Sequence, residues 1–194
     1  KVARDRLIAL TILIIFTVVF WALFGQAYMS LNLFAERIID LNVGGFELKP
    51  GWFLGLNSFF IIALAVVFAR LWVWLDTKNA NPNTSIKFAI ALILVGLGFG
   101  ALVLGGIISG EEGKVAFYWL VLAYLLHTCG ELFLSPIGLS VVTKLSPQKI
   151  LGFMMGVWFL ATASSEFIAA KISQMASMDD IADGDFVAAK ANFI

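Results

Sequence analysis

The sequence predicts an all-α membrane protein, an antiparallel bundle of about five transmembrane helices. Three observations carry this. Of 194 residues, 61% are hydrophobic and 13% charged, with a mean hydropathy of +0.96, which is too apolar for a domain that shows a polar shell to water. Five apolar runs each reach the roughly 20 residues that a helix needs to cross about 30 Å of hydrocarbon. Short breaks of turn-forming residues separate them, and short connections make neighbouring helices antiparallel. Run length also decides for helices, since barrel strands would alternate strictly over segments of about ten residues.

The runs cover approximately residues 7–34, 52–75, 86–108, 115–142 and 150–175. Between them stand Asn42-Val43-Gly44-Gly45, Asn79-Ala80-Asn81-Pro82-Asn83, Ser109-Gly110-Glu111-Glu112-Gly113 and Ser146-Pro147-Gln148-Lys149. Residues 1–178 thus form one bundle, and 179–194, with Asp179, Asp180, Asp183 and Asp185, read as an outer (periplasmic or extracellular) loop. Lys1, Arg4, Arg6, Arg70, Lys78, Lys87, Lys144 and Lys149 fall on one side, against Arg37, Lys49 and Lys114 on the other. Positive charge stays inside, so the side of residue 1 is expected in the cytoplasm of a cell whose inner or plasma membrane the chain crosses. Lys171, near the outer end of the fifth run, can snorkel to that interface.

Composition also excludes. Thirteen basic residues balance thirteen acidic ones, without the clustered excess that a nucleic-acid partner requires. The single cysteine, Cys129, can form no intrachain disulfide and offers no two-thiol metal motif. No phosphate-binding glycine loop, paired-His metal site or Ser, His and Asp set points to an enzyme, and neither a metal nor a cofactor is expected. The first run is too long for a signal peptide. The start at Lys1, the end at Ile194 and the odd number of spans lead to the expectation of a piece of a longer chain.

Polar groups inside the spans carry the functional signal, because an ionisable side chain at bilayer depth costs roughly 2.5–3.5 kcal/mol on insertion scales and must face a cavity or a partner helix. Glu131 lies near the centre of the fourth span. His127, Glu131 and Ser135 are spaced by four, which stacks them on one helix face, and Pro136 and Gly138 should bend the helix just beyond the carboxylate. Such a glutamate can bind a ligand ammonium or take up a proton; the alternative is a structural carboxylate paired with a base of another helix. His127 is expected to make a structural hydrogen bond rather than relay protons. Glu166 is a second acid within a span, with a structural or interfacial role expected. Asn57, Gln26 and Asn32 can line a polar cavity or join helices. Trp52, Trp72, Trp74 and Trp119 look like interfacial anchors, whereas Trp21 and Trp158 fall inside spans and can wall a cavity. Gly96 with Gly100, and Gly152 with Gly156, have the spacing that permits close helix approach.

The run from Phe20 to Arg37, FWALFGQAYMSLNLFAER, resembles the seventh helix of the proton-dependent oligopeptide transporter family. Gly130 to Ser140, GELFLSPIGLS, with Lys144-Leu145-Ser146-Pro147 after it, looks like that family's tenth helix and following loop, and Met154 to Leu160, MMGVWFL, like the start of the eleventh. The resemblance implies part of the C-terminal six-helix bundle of a major facilitator fold. It further implies proton-coupled import of di- and tripeptides by alternating access, with protons as the coupling ion, the lipid bilayer as surroundings and an N-terminal six-helix bundle of the same chain as partner. Glu131 then receives the peptide amino terminus, aided by Asn57, with Ser135 and Trp158 in the pocket wall; Glu131 and Gln26 are the candidates for proton coupling or gating. Many members carry an acid just before that glutamine, where this chain has Gly25. The alternatives are transport of another small solute by the same family, or a structural subunit of a larger membrane complex.

Overall fold

In the computed structural model, which describes residues 2–110 and 113–175, the chain forms six α-helices and a few very short strands. The helices are α1 (Val2–Phe24), α2 (Ser30–Arg37), α3 (Leu54–Thr77), α4 (Thr84–Ile108), α5 (Phe117–Leu145) and α6 (Leu151–Met175). Among the described residues, five segments are long and apolar enough to cross a membrane: Arg4–Arg37, Pro50–Thr77, Thr84–Ile108, Phe117–Leu145 and Gln148–Met175. The chain is a multi-pass membrane protein. The expected outer loop at 179–194 lies outside the described residues.

The first span differs from a single helix over 7–34. It starts within the basic head, at Val2, and is interrupted by a 3-10 turn, Gly25–Tyr28, before α2 completes the crossing. The break has a cause in local hydrogen bonding: the Gln26 amide donates to the carbonyl of Ala22 at 3.1 Å and to that of Ala169 on α6 at 3.0 Å, while its own carbonyl oxygen accepts from Ser30 at 2.8 Å. One buried side chain thereby ties α1, α2 and α6 together.

The connections obey turn chemistry. Strands β1 (Ile39–Asp40), β2 (Asn42–Val43) and β3 (Phe46–Glu47) follow α2, and β4 (Val115–Ala116) precedes α5. β2 and β3 pair antiparallel around Gly44 and Gly45, both at positive φ, as a two-residue hairpin turn demands. β1 pairs with β4 in parallel, which fastens the connections after α2 and after α4 to one another at one end of the bundle. At the opposite end the Asn83 side chain accepts from the Ile86 backbone N–H at 2.9 Å and caps α4.

Helix α5 is the hub and packs on α1, α3, α4 and α6, most extensively on α4. It continues as one helix through Pro136. The core divides into two clusters. One, including Leu10, Phe20, Phe88, Val95, Leu134 and Val142, joins α1, α4, α5 and α6. The other, including Phe34, Ile38, Phe53, Leu102 and Tyr124, lies toward the hairpin end. Helix α3 is barely covered, and Asn57 is its one buried residue.

The glycine spacings expected at helix contacts lie elsewhere. A Cβ at Gly96, Gly100, Gly152 or Gly156 would meet nothing within 4 Å. Close approach instead occurs at Gly98 against His127, Gly105 against Trp119, Gly138 against Trp158 and Gly130 against the Ala91 carbonyl of α4. The small residues that matter are those facing bulky partners, and a four-residue repeat does not identify them. Trp119 and Trp72 are accordingly packing residues: Trp72 lies edge-on to Phe133 at 5.1 Å and beneath the Lys87 ammonium at 4.0 Å. In an open helix position Gly→Ala stabilises by about 1 kcal/mol. Gly96→Ala is therefore expected to hold or raise the apparent melting temperature in detergent, and Gly130→Ala to lower it, because its methyl group would sit 2.9 Å from a backbone oxygen; equal shifts would contradict this packing.

Candidate functional site

Glu131 reaches the α3 wall from α5. Its Oε2 accepts from the Asn57 amide nitrogen at 2.9 Å, and the same nitrogen lies 3.2 Å from the Thr128 hydroxyl. The Asn57 carbonyl oxygen accepts from the Tyr28 hydroxyl at 3.3 Å. Tyr28 comes from the 3-10 turn, Asn57 from α3, and Thr128 and Glu131 from adjacent turns of α5, so three spans converge on one carboxylate. Asn57 and Thr128 are buried, Glu131 is half-buried and Tyr28 is exposed, which leaves the carboxylate at the inner edge of an open polar face. An aliphatic wall could not hold a charge there; one amide hydrogen bond, from an Asn57 side chain that is itself held by Thr128 and Tyr28, sets its position before any ligand arrives.

His127, Glu131 and Ser135 do not share one face. Successive steps of four residues advance about 40° around a helix, and two steps are enough to point the ends toward different neighbours. His127, 1% exposed, turns to α4, where its Nε2–H donates to the Val95 carbonyl at 3.2 Å; a carbonyl can only accept, which fixes that tautomer. Its ring fills the gap left by Gly98 and lies 4.9 Å from Phe99. This is the structural hydrogen bond anticipated for it.

Ser135 and Trp158 line an open cavity of about 180 Å³ together with Trp21 and Thr162. Trp21 and Trp158 supply aromatic walls from α1 and α6, and Ser135 and Thr162 supply hydroxyls. Glu131 stands one helical turn from Ser135, so the carboxylate cluster and the aromatic cavity follow each other along α5. Gln26 is buried and fully engaged in the tether described above, an amide that holds the break in the first span and cannot itself carry a proton. Gly25 packs on α6, where a Cβ would lie 3.0 Å from that of Ala169 and 3.8 Å from the Glu166 carboxylate.

The sequence profile of the POT family matches residues 1–189. The chain belongs to the POT family. Among its relatives, the "Uncharacterized transporter YclF" of Bacillus subtilis is 41% identical over 173 residues, covering 89% of this chain and 35% of that one. The "Peptide transporter YePEPT" of Yersinia enterocolitica is 37% identical over 180 residues, covering 92% and 35%. The chain thus spans about a third of the length of the curated relatives it matches. A crystal structure of a mutant of the peptide transporter POT in complex with alafosfalin superposes with a TM-score of 0.85 at 36% identity, covering 100% of this chain and 39% of that one. A POT family transporter in complex with 5-aminolevulinic acid gives 0.80 at 28% identity, covering 99% and 39%. These neighbours share the major facilitator fold, and the relatives are transporters rather than enzymes.

Two residues of this cluster, Thr128 and Tyr28, were not among the candidates read from the sequence. Thr128 stands three residues before Glu131 on the same helix, a spacing that was available in the sequence; Tyr28 was hidden because the break in the first span re-aims it. The Gln26 tether yields a direct test. Gln26→Leu removes three hydrogen bonds, leaves the Ser30 hydroxyl without its acceptor, and is expected to destabilise the full-length protein by about 1–3 kcal/mol, read as a lower apparent melting temperature. Unchanged melting would show that the break is held by packing alone.

Proposed function

We propose that this chain is part of a secondary active symporter that imports di- and tripeptides with protons by alternating access. The observation that carries the reading is the Glu131 carboxylate held by Asn57 at 2.9 Å on an open polar face between helices. A preplaced carboxylate in a partly dry cavity makes a charge-assisted bond to an ammonium group, and the amino terminus is the one cation that every peptide shares. Trp158, Trp21 and Ser135, lining the cavity that follows along α5, give a side chain an apolar wall with few fixed polar demands, which suits a promiscuous carrier. Relatives named di- and tripeptide transporters support the same solute class.

In this reading an N-terminal six-helix bundle of the same polypeptide closes the other half of the cavity, and protons are the coupling ion, with no other cofactor. The excess of basic residues on the side of residue 1 supports placing that side in the cytoplasm, across an inner or plasma membrane. Gln26 serves the gate as the tether of the broken first span. A second reading, a small amine-bearing acid as solute, draws on the 5-aminolevulinic acid complex of a structural neighbour.

Two measurements test these assignments in the full-length protein. Glu131→Gln is expected to reduce uptake of a labelled dipeptide into proteoliposomes at least tenfold, with counterflow by unlabelled dipeptide separating peptides from other amines; uptake at the normal rate and affinity would overturn the site. For sidedness, a cysteine at Asn42 is expected to react with an impermeant maleimide from outside intact cells, and one at Asn79 only after permeabilisation. The reverse pattern would invert the topology.

A further inference from the structure

We infer that Tyr124 and Thr128 are positioning residues for the solute's amino group, acting through a closed circuit of hydrogen bonds that holds Asn57 against Glu131; this rests on the peptide reading above. Tyr124, Thr128 and Glu131 follow one another at intervals of four and three residues, which keeps them within about 60° of each other around α5. The Tyr124 hydroxyl donates at 2.6 Å to the Ala27 carbonyl, in the break of the first span. The Tyr124 carbonyl accepts from the Thr128 hydroxyl at 2.8 Å, and the Thr128 oxygen accepts in turn from the Asn57 amide at 3.2 Å. The Asn57 carbonyl oxygen accepts from the Tyr28 hydroxyl at 3.3 Å, and Tyr28 is the chain neighbour of Ala27, so the path returns to its start. Tyr124, Thr128 and Asn57 are all buried within the described helices, and further helices packed on them can only deepen that burial.

The direction of each bond gives the circuit its use. Thr128 gives its one hydroxyl hydrogen to the Tyr124 carbonyl, so toward Asn57 it can only accept. The amide nitrogen of Asn57 is thereby turned to α5, and its other hydrogen goes to Glu131 Oε2 at 2.9 Å. An amide rotated by half a turn would set its oxygen against a carboxylate and against a hydroxyl with no hydrogen to give, and both bonds would be lost. Tyr124 acts at two points: its side chain fixes the bend that carries Tyr28, and its backbone orients Thr128. Both effects meet at Asn57, and through it they set the angle of the carboxylate. A charge-assisted bond to an ammonium group rewards such a fixed angle, whereas an acetylated amine offers no cation and does not respond to it.

The test measures the dissociation constants of a dipeptide and of its N-acetylated form on the purified full-length protein and reads their ratio, which a loss of folded protein does not change. Tyr124→Phe removes only the hydroxyl on Ala27, and is expected to lower the preference for the free amine at least threefold while affinity for the acetylated form stays within about twofold of wild type. Thr128→Val, which leaves the Ala27 contact in place, is expected to lower the preference likewise, and Thr128→Ser to keep most of it. A wild-type ratio in Tyr124→Phe or in Thr128→Val overturns the inference, as does an equal loss of both affinities, which would make the circuit purely structural. Where Tyr124→Phe gives no folded protein, Thr128→Val decides by the same criterion. If the wild-type protein binds the free and acetylated forms equally, the amine reading of Glu131 itself fails, and the inference falls with it.

Discussion

A carboxylate inside an apolar bundle must be given partners, and the hydrogen bond from Asn57 to Glu131 is the contact on which the rest of the arrangement depends. Helix α3 is thinly covered: among its residues only Asn57 is buried, Leu56 and Phe60 lie against the core cluster at the hairpin end, and Phe68 and Trp72 add an aromatic clamp on Phe133 of α5. Between them these contacts fix the angle at which α3 meets α5. The hydrogen bond therefore does two jobs, placing the helix and aiming the carboxylate, and neither can be altered without the other.

The break in the first span serves the same end from the opposite wall. A continuous helix from Val2 to Arg37 would keep its backbone groups to itself. With a 3-10 turn at Gly25–Tyr28, the Ala27 carbonyl accepts from the Tyr124 hydroxyl of α5 at 2.6 Å, Gln26 reaches α6, and Tyr28 swings out to Asn57. Irregular backbone at this depth is tolerable because protein groups satisfy it. The turn converts a lipid-spanning rod into a bracket that joins α3, α5 and α6 around the polar face.

Much of this could be read from the chain. Run length and the flanking Lys and Arg gave the spans, since hydrocarbon thickness imposes a length that composition cannot hide. Glu131, Asn57, Ser135 and Trp158 stood out because polar or large amphipathic groups at bilayer depth need a reason. Three-dimensional choices were illegible. Gly96 and Gly100 share the spacing of contact glycines, yet Gly98 does the packing, because only the rotation of α4 decides which one meets His127. The divergence of His127, Glu131 and Ser135 has the same origin: a four-residue interval approximates one face for a single step and fails over two. Glu166 reads from the sequence as structural or interfacial, and its nearness to Gly25 depends on how α6 crosses the first span.

The proposed recognition of a positively charged amino terminus by Glu131 can be tested through ligand chemistry. Binding of a dipeptide and of its N-acetylated form to the purified full-length protein can be compared by titration calorimetry. The free amine is expected to bind at least tenfold more tightly, and this preference to disappear in Glu131→Gln. Equal affinity for the acetylated and free peptides in the wild-type protein would contradict it.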